Sequence, residues 1–557
     1  MIQIKTYTKS SIFITAIFLL QFSFVKAQDE VREEYFEMSK NLSIFTEAYK
    51  NINLYFVDET SPGDLMKTGI DAMLNSLDPY TVYIPESRIE DFKTQQTGKY
   101  GGIGSMIQTN TEGVTVTNPY EGFPAQKAGL KAGDKIIEID GNLLKGKTAE
   151  EVSKMLKGTP GSKLIVKIKR QNQTEILNYE IERALVKIPS VPHFEMIEKG
   201  TAYIKLTQFT ASATSDIEAA YNKLKEKNEI KKLVLDLRGN PGGLLDESVK
   251  IVNFFVPKGT MIVETKGRIK SKSYVLKAPN KPIMKDIPVV VLVNRSSASA
   301  SEIVSGALQD LDRAVVVGEE SYGKGLVQQT KAMEYNTMMK FTIAKYYTPS
   351  GRCIQRLDYS DRKGKGNNIS DSLVHTFTTK NGRKVMDGRG VHPDIEVKEK
   401  TISALSIGLI QNNIIFDYAT DFYYNTDSIV KPEIFQINDV EYEKFKKFVL
   451  NKKFDYSTYS EKILEQLKES SVEEKYYESF KKEFEEIAKK LAPNKERDLE
   501  KFKPEIKELL SSEIVSRYFY QKGQVTYNLR HDSYIDEALK ILNNQEEYNK
   551  VLNITSK

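Results

Sequence analysis

Two near-continuous apolar runs dominate the middle of the chain, Lys232-Leu-Val-Leu-Asp-Leu237 and Ile287-Pro-Val-Val-Val-Leu-Val293. Runs without polar alternation predict strands buried on both faces, as in a parallel sheet. The first ends in Arg238-Gly-Asn-Pro-Gly-Gly243 and leads to helical spacing over 245–255. The second ends at Asn294 before a serine cluster and a helical pattern at Ile303, Val304, Ala307, Leu308 and Leu311; a further apolar run, Ala314 to Val317, follows. Strand, loop and helix in alternation predict an α/β core over 186–401, with a crevice at the C-terminal ends of its strands. Upstream the period falls to two, in Val114-Thr-Val116, Ile136-Ile-Glu-Ile139 and Leu164-Ile-Val-Lys-Ile168. Turns at Gly133-Asp134 and Asp140-Gly141, with a helical piece over 148–156, complete a β domain expected over 91–185. Residues 28–90 have helical spacing, broken at Leu77-Asp78-Pro79. Residues 402–557 are rich in Lys, Glu and Tyr with helical repeats such as Phe480, Phe484, Ile487 and Leu491. The fold class expected is therefore a multidomain α/β and α+β chain, helical at both ends.

Length agrees with this, since 557 residues exceed what one core organises. Residues 1–27 stand apart: Lys5 and Lys9, an apolar stretch from Ile12 to Val25, then Val25-Lys26-Ala27. This predicts a cleaved signal peptide and an exported protein, periplasmic or in the cell envelope. A retained, membrane-associated anchor is the alternative. Cleavage removes Lys5, Lys9 and Lys26 and takes the formal net charge from +5 to +2. A balance so near neutrality gives nucleic acid no basis as a partner. The single cysteine, Cys353, cannot close an internal disulfide, so stability rests on the cores.

Candidate chemistry gathers in 294–328. Ser299 opens the helix after the second apolar run, and Lys324 lies in a Gly323-Lys-Gly325 loop after the next strand. A serine and a lysine so placed can form a nucleophile–base pair. Ser299-x-x-Glu302 is also a capping box, in which the serine serves only the helix end. The joint pattern of Ser-Ala-Ser-Glu302, Gln309-Asp310, Arg313-Ala314, Gly318-Glu319 and Gly323-Lys-Gly-x-Val-Gln328 closely resembles the C-terminal processing peptidases. That resemblance implies a serine endopeptidase with Ser299 as nucleophile, Lys324 as base 25 positions later, and Gln328 as an assisting residue. It also implies an oxyanion hole from Gly242 or Gly243 together with Ala300, and it requires no cofactor or metal. The segment around Pro124-Ala125, Ala128-Gly129-Leu130 and Gly133-Asp134 resembles a PDZ domain. There Gly102, Ile103 and Gly104 would bind the terminal carboxylate of a protein substrate's tail on backbone N–H groups.

Two rivals remain. A Ser–His–Asp hydrolase would use His392, beside Pro393, from among the four histidines. A non-catalytic tail-binding scaffold would keep the fold without needing Ser299, Lys324 and Gln328 in register. The helical N- and C-terminal regions leave room for an adaptor or for self-association, with no residue that selects the partner.

Overall fold

The computed structural model describes residues 33, 35–110, 113–361, 364–398 and 400–554. The expected signal peptide lies outside them. Among the described residues, no helix is long and apolar enough to cross a membrane. The chain divides into two compact units, residues 1–83 with 359–365, and residues 84–358 with 366–557.

The first unit contains a helix over 35–55 and a second, Pro62–Asn75. Ser61 caps the second by accepting from Asp64 N, with Pro62 in the first turn, where its missing N–H costs nothing. The break at Leu77-Asp78-Pro79 is a turn. The Asp78 carboxylate accepts the N–H groups of Tyr80 and Thr81, each at 2.8 Å, which closes the turn after helix Pro62–Asn75.

In the second unit the β domain is an antiparallel sheet of Ser105–Asn110, Gly113–Pro119, Lys135–Ile139, Lys163–Lys169 and Ile176–Glu182, in that spatial order. Its inward positions (Val114, Val116, Ile136, Ile139, Leu164, Val166 and Ile168) pack on Val152 and Leu156 of helix Ala149–Leu156. A capping box between Thr148 and Glu151 starts that helix. The Ser105–Asn110 strand is last in the order, so one of its edges carries no partner strand.

The α/β core is a six-stranded sheet ordered His193–Glu198, Thr201–Lys205, Lys232–Asp236, Val289–Val293, Val315–Gly318 and Ile395–Glu396. The first pair is antiparallel and the rest are parallel. Leu233, Leu235, Val289, Val291, Val293 and Val316 face helices Ala213–Lys225, Leu245–Asn253 and Ala300–Asp310. The alternate positions, Val234, Val290, Leu292, Val315 and Val317, face Leu529, Tyr534, Ile535, Ala538 and Ile541.

Helices Ser533–Asn543 and Gln545–Val551, in the helical C-terminal region expected from 402, pack on this second face of the sheet. The helices before them share a core around Leu405, Leu409, Phe445, Leu499, Leu510 and Ile514. The boundary expected at 90 falls within helix Ile89–Thr97 of the second unit.

Candidate active site

The loops leaving strands Lys232–Asp236, Val289–Val293 and Val315–Gly318 meet at one end of the sheet. Ser299 is the N-cap of helix Ala300–Asp310, with φ 55° and ψ −111°. A non-glycine residue with positive φ outside the left-handed helical well stores roughly 1–3 kcal/mol of strain. Surrounding hydrogen bonds must therefore hold it. Ala298 N–H donates to the carbonyl of buried Asn240 at 3.0 Å, and the Ser301 hydroxyl donates to the same carbonyl at 2.9 Å. Ser299 N–H donates to Glu302 Oε2 at 2.8 Å.

Glu302 does more than cap the helix. Its side chain is fully buried, and the same Oε2 accepts Lys324 N–H at 2.9 Å. Its Oε1 accepts Gly323 N–H at 2.6 Å and the Ser321 hydroxyl at 2.5 Å. One carboxylate thus fixes the backbone of the serine and of the lysine loop together. Burial pushes its pKa above the usual carboxylate value, although all four donors favour the charged form. A second tie comes from Tyr346, whose hydroxyl lies 3.0 Å from the Ser299 carbonyl and 2.7 Å from that of Lys324.

Ser299, Ala300, Gly243, Lys324 and Gln328 all line one cavity of about 260 Å³. Gln328 lies on strand Leu326–Met333, whose register against Thr337–Tyr347 shifts between Val327 and Gln328. The Gln328 amide donates to Thr342 Oγ1 at 3.2 Å. Between the two glycines the geometry discriminates. Gly242 N–H is taken up by Asn240 Oδ1 at 2.9 Å, whereas Gly243 N–H has no acceptor among the described residues. Gly242 has another task. At φ 101°, an added Cβ would lie 2.8 Å from both Ala298 O and Ser299 Cβ, so only glycine lets the loop lie against the serine. Ala300 N–H belongs to the first helical turn, which has no intrahelical acceptor.

Comparison with known proteins matches residues 200–359 to Peptidase family S41, residues 115–170 to the PDZ domain, and residues 405–542 to "Probable PDZ-protease, C-terminal helical domain". A carboxy-terminal-processing protease of Bartonella bacilliformis is 35% identical over 346 residues, 62% of this chain and 79% of the relative. A probable CtpA-like serine protease of Staphylococcus epidermidis is 32% identical, over 70% of this chain and 76% of its own. The chain belongs to the C-terminal processing peptidase family. Among solved structures, a photosystem II D1 C-terminal processing protease is 26% identical over 64% of this chain and 92% of its own, with a TM-score of 0.34.

In this serine peptidase His392 is placed among carboxylates. Its ring lies 3.5 Å from Glu396 and 4.0 Å from Glu320, and it is not part of the cavity wall. Among the described residues no group of His, Cys, Asp and Glu side chains is placed to hold a metal ion. A larger cleft, about 890 Å³, lies between the PDZ sheet and helices Ala404–Gln411 and Ile414–Asn425 and contains neither Ser299 nor Lys324.

In the PDZ domain of the peptidase, Gly102, Ile103 and Gly104 are buried beside the free Ser105–Asn110 edge. The Ile103 carbonyl accepts Ala125 N–H at 2.8 Å and that of Gly104 accepts Tyr120 N–H at 2.9 Å. Ile103 and Gly104 lie between strand Lys99–Gly102, which pairs with Ala184–Lys187, and strand Ser105–Asn110, and belong to neither ladder.

Several wall residues were not legible as such. Phe92, Gln95 and Gln96 of helix Ile89–Thr97 line the peptidase cavity, and Gln208 Nε2 ties that helix down by donating to Gln95 O at 2.9 Å. Asn240 and Tyr346 carry no motif of their own. The motif residues Gln309 and Asp310 hold the fold: Arg352 Nη2 donates to Gln309 Oε1 at 2.6 Å and pairs ionically with Asp310, whose Oδ2 accepts the Thr348 hydroxyl at 2.5 Å.

Proposed function

We propose that this peptidase is an exported endopeptidase that recognises protein substrates by their C-terminal tails and cleaves them with a Ser299–Lys324 dyad. The reading rests on one observation: a single buried carboxylate oxygen, Glu302 Oε2, holds the backbones of both residues on the wall of one cavity. Ser299 Oγ attacks the scissile carbonyl carbon as its proton passes to the neutral Lys324 amine. The carbonyl oxygen becomes an oxyanion and accepts the Gly243 and Ala300 N–H groups, donors fixed before the charge develops. The intermediate collapses and the C–N bond breaks. The leaving amine takes the proton from Lys324, and water then hydrolyses the ester with the lysine as base again. Gln328, anchored on Thr342, orients the lysine amine. A tail strand pairs with the open Ser105–Asn110 edge, and its carboxylate accepts the Ile103 and Gly104 N–H groups. Export follows from the leader-like residues 1–27.

The test is mass spectrometry of an exported-protein extract incubated with wild type or Ser299→Ala. Fragments with new C-termini that appear only with wild type are expected. Identical fragment sets with both enzymes would overturn the assignment.

A further inference from the structure

The loop that carries Gly243 begins at Arg238, and Arg238 is held from outside the S41-matched segment. Its Nε and Nη2 donate to the Asp236 carboxylate at 3.0 and 2.7 Å. Its Nη1 and Nη2 donate to Asp532 Oδ1 and Oδ2 at 3.0 and 2.7 Å. The ring of Tyr534 lies 4.6 Å from the guanidinium carbon. Lys205 Nζ completes the group, 3.2 Å from Asp236 Oδ2 and 3.4 Å from Arg238 O. Two cations and two anions therefore balance where the Asp236 side chain is wholly buried and that of Arg238 is only 15% exposed. Breaking such a balance leaves an uncompensated charge, and the remaining groups must rearrange around it.

Asp532 is itself well placed to act as an anchor. It is the N-cap of helix Ser533–Asn543, accepts Tyr534 N–H at 2.9 Å, and so moves with the layer packed on the sheet. From Arg238 the loop is pinned residue by residue. Gly239 N–H donates to Asn294 Oδ1 at 3.0 Å, Asn240 Nδ2 to Leu206 O at 2.9 Å, and Gly242 N–H to Asn240 Oδ1. The C-terminal segment supplies the first pin.

We propose that Asp532, supported by Tyr534, is a positioning residue for the peptidase reaction: by holding Arg238 it sets where the 238–243 loop presents the Gly243 N–H. The inference rests on the assignment of Gly243 to the oxyanion. An N–H that meets the oxyanion stabilises the charge that develops in the transition state and not the bound substrate, so its displacement lowers kcat and leaves KM in place.

The test uses the full-length chain, an unstructured peptide substrate and a peptidyl boronate, whose tetrahedral adduct mimics the oxyanion intermediate. Asp532→Asn keeps a good N-cap while removing the charge. It is expected to lower kcat about tenfold or more, because small misplacements of catalytic groups cost up to about a hundredfold. KM should stay within about twofold, and boronate affinity should fall in parallel with kcat. Asp532→Glu should recover part of the loss. Tyr548→Phe is the control for stability alone. It removes a hydroxyl that bonds Val289 N–H at 3.0 Å, at the end of the sheet remote from the serine, and should leave kcat unchanged. Equal kcat values for Asp532→Asn and Tyr548→Phe would overturn the inference. If Asp532→Asn does not fold, Tyr534→Leu leaves the charges in place and must show the same split of kcat from KM; without that split the inference fails. Ser299→Ala in the same assay separates the two claims. If it cleaves at the wild-type rate, the assigned reaction is wrong. If it is dead while Asp532→Asn is fully active, only the positioning role falls.

Discussion

A neutral amide cannot replace the Glu302 carboxylate. A glutamine in that place would turn an NH2 group toward N–H and O–H donors now served by two carboxylate oxygens. Buried donors left without acceptors each cost roughly 1–3 kcal/mol, so the serine and lysine backbones would separate. Glu302→Gln is expected to lower kcat about a hundredfold and also to lower Tm, as loss of a positioning contact predicts. Ser299→Ala should abolish turnover with little change in Tm. If Glu302→Gln unfolded earlier yet kept wild-type kcat, the carboxylate would be structural only.

The main elements were legible because burial on both faces demands the continuous apolar runs at 232–237 and 287–293, which the structure resolves as central parallel strands. Ser299 and Lys324, picked out by the motif resemblance, line one cavity because a single loop–helix–strand–loop passage carries both. Tyr346 was not, since its hydroxyl meets the Ser299 carbonyl 47 residues away through a hairpin whose register no local pattern sets. The cavity residues of helix Ile89–Thr97 were hidden for the same reason. At this scale the free edge of strand Ser105–Asn110 makes a prediction of its own. An amidated peptide loses the anion that the Ile103 and Gly104 N–H groups would bind, and hydrogen bonds to charged groups contribute roughly 1.5–3 kcal/mol. The free-acid peptide should therefore bind the full-length Ser299→Ala protein about tenfold or more tightly than its amide, measured by calorimetry. Equal affinities would remove carboxylate capture.

For the whole molecule, the C-terminal segment completes the protease. Ending the chain before Leu529 would uncover Val234, Val290, Leu292, Val315 and Val317. Each buried side chain of this kind contributes roughly 1.5–3 kcal/mol, together a large part of a typical stability of about 5–15 kcal/mol. Such a truncation should lose cooperative thermal unfolding, whereas a separate helical domain would leave the protease transition intact. The Asp236 cluster adds a pH dependence. Burial opposes the Asp236 charge, but Arg238 and Lys205 outweigh it and hold the carboxyl well below the usual range. The unfolded chain, with a value near 3.9, then binds more protons than the native state, so this stabilisation is present above about pH 4 and is lost as pH falls further. Asp236→Asn should lower Tm at neutral pH and flatten its decline on acidification. An unchanged acid slope would contradict the assignment.

The dyad is tested most directly by Lys324→Arg. Arginine keeps the charge and the long stem but cannot give up its proton, so it can steady an oxyanion and cannot act as a base. Full-length wild type, Lys324→Arg and Ser299→Ala are each incubated with an unstructured peptide carrying a free C-terminus, and the products are followed by mass spectrometry. The account predicts cleavage by wild type and none above background by either variant. An active Lys324→Arg enzyme beside an inactive Ser299→Ala would contradict it and require a different base.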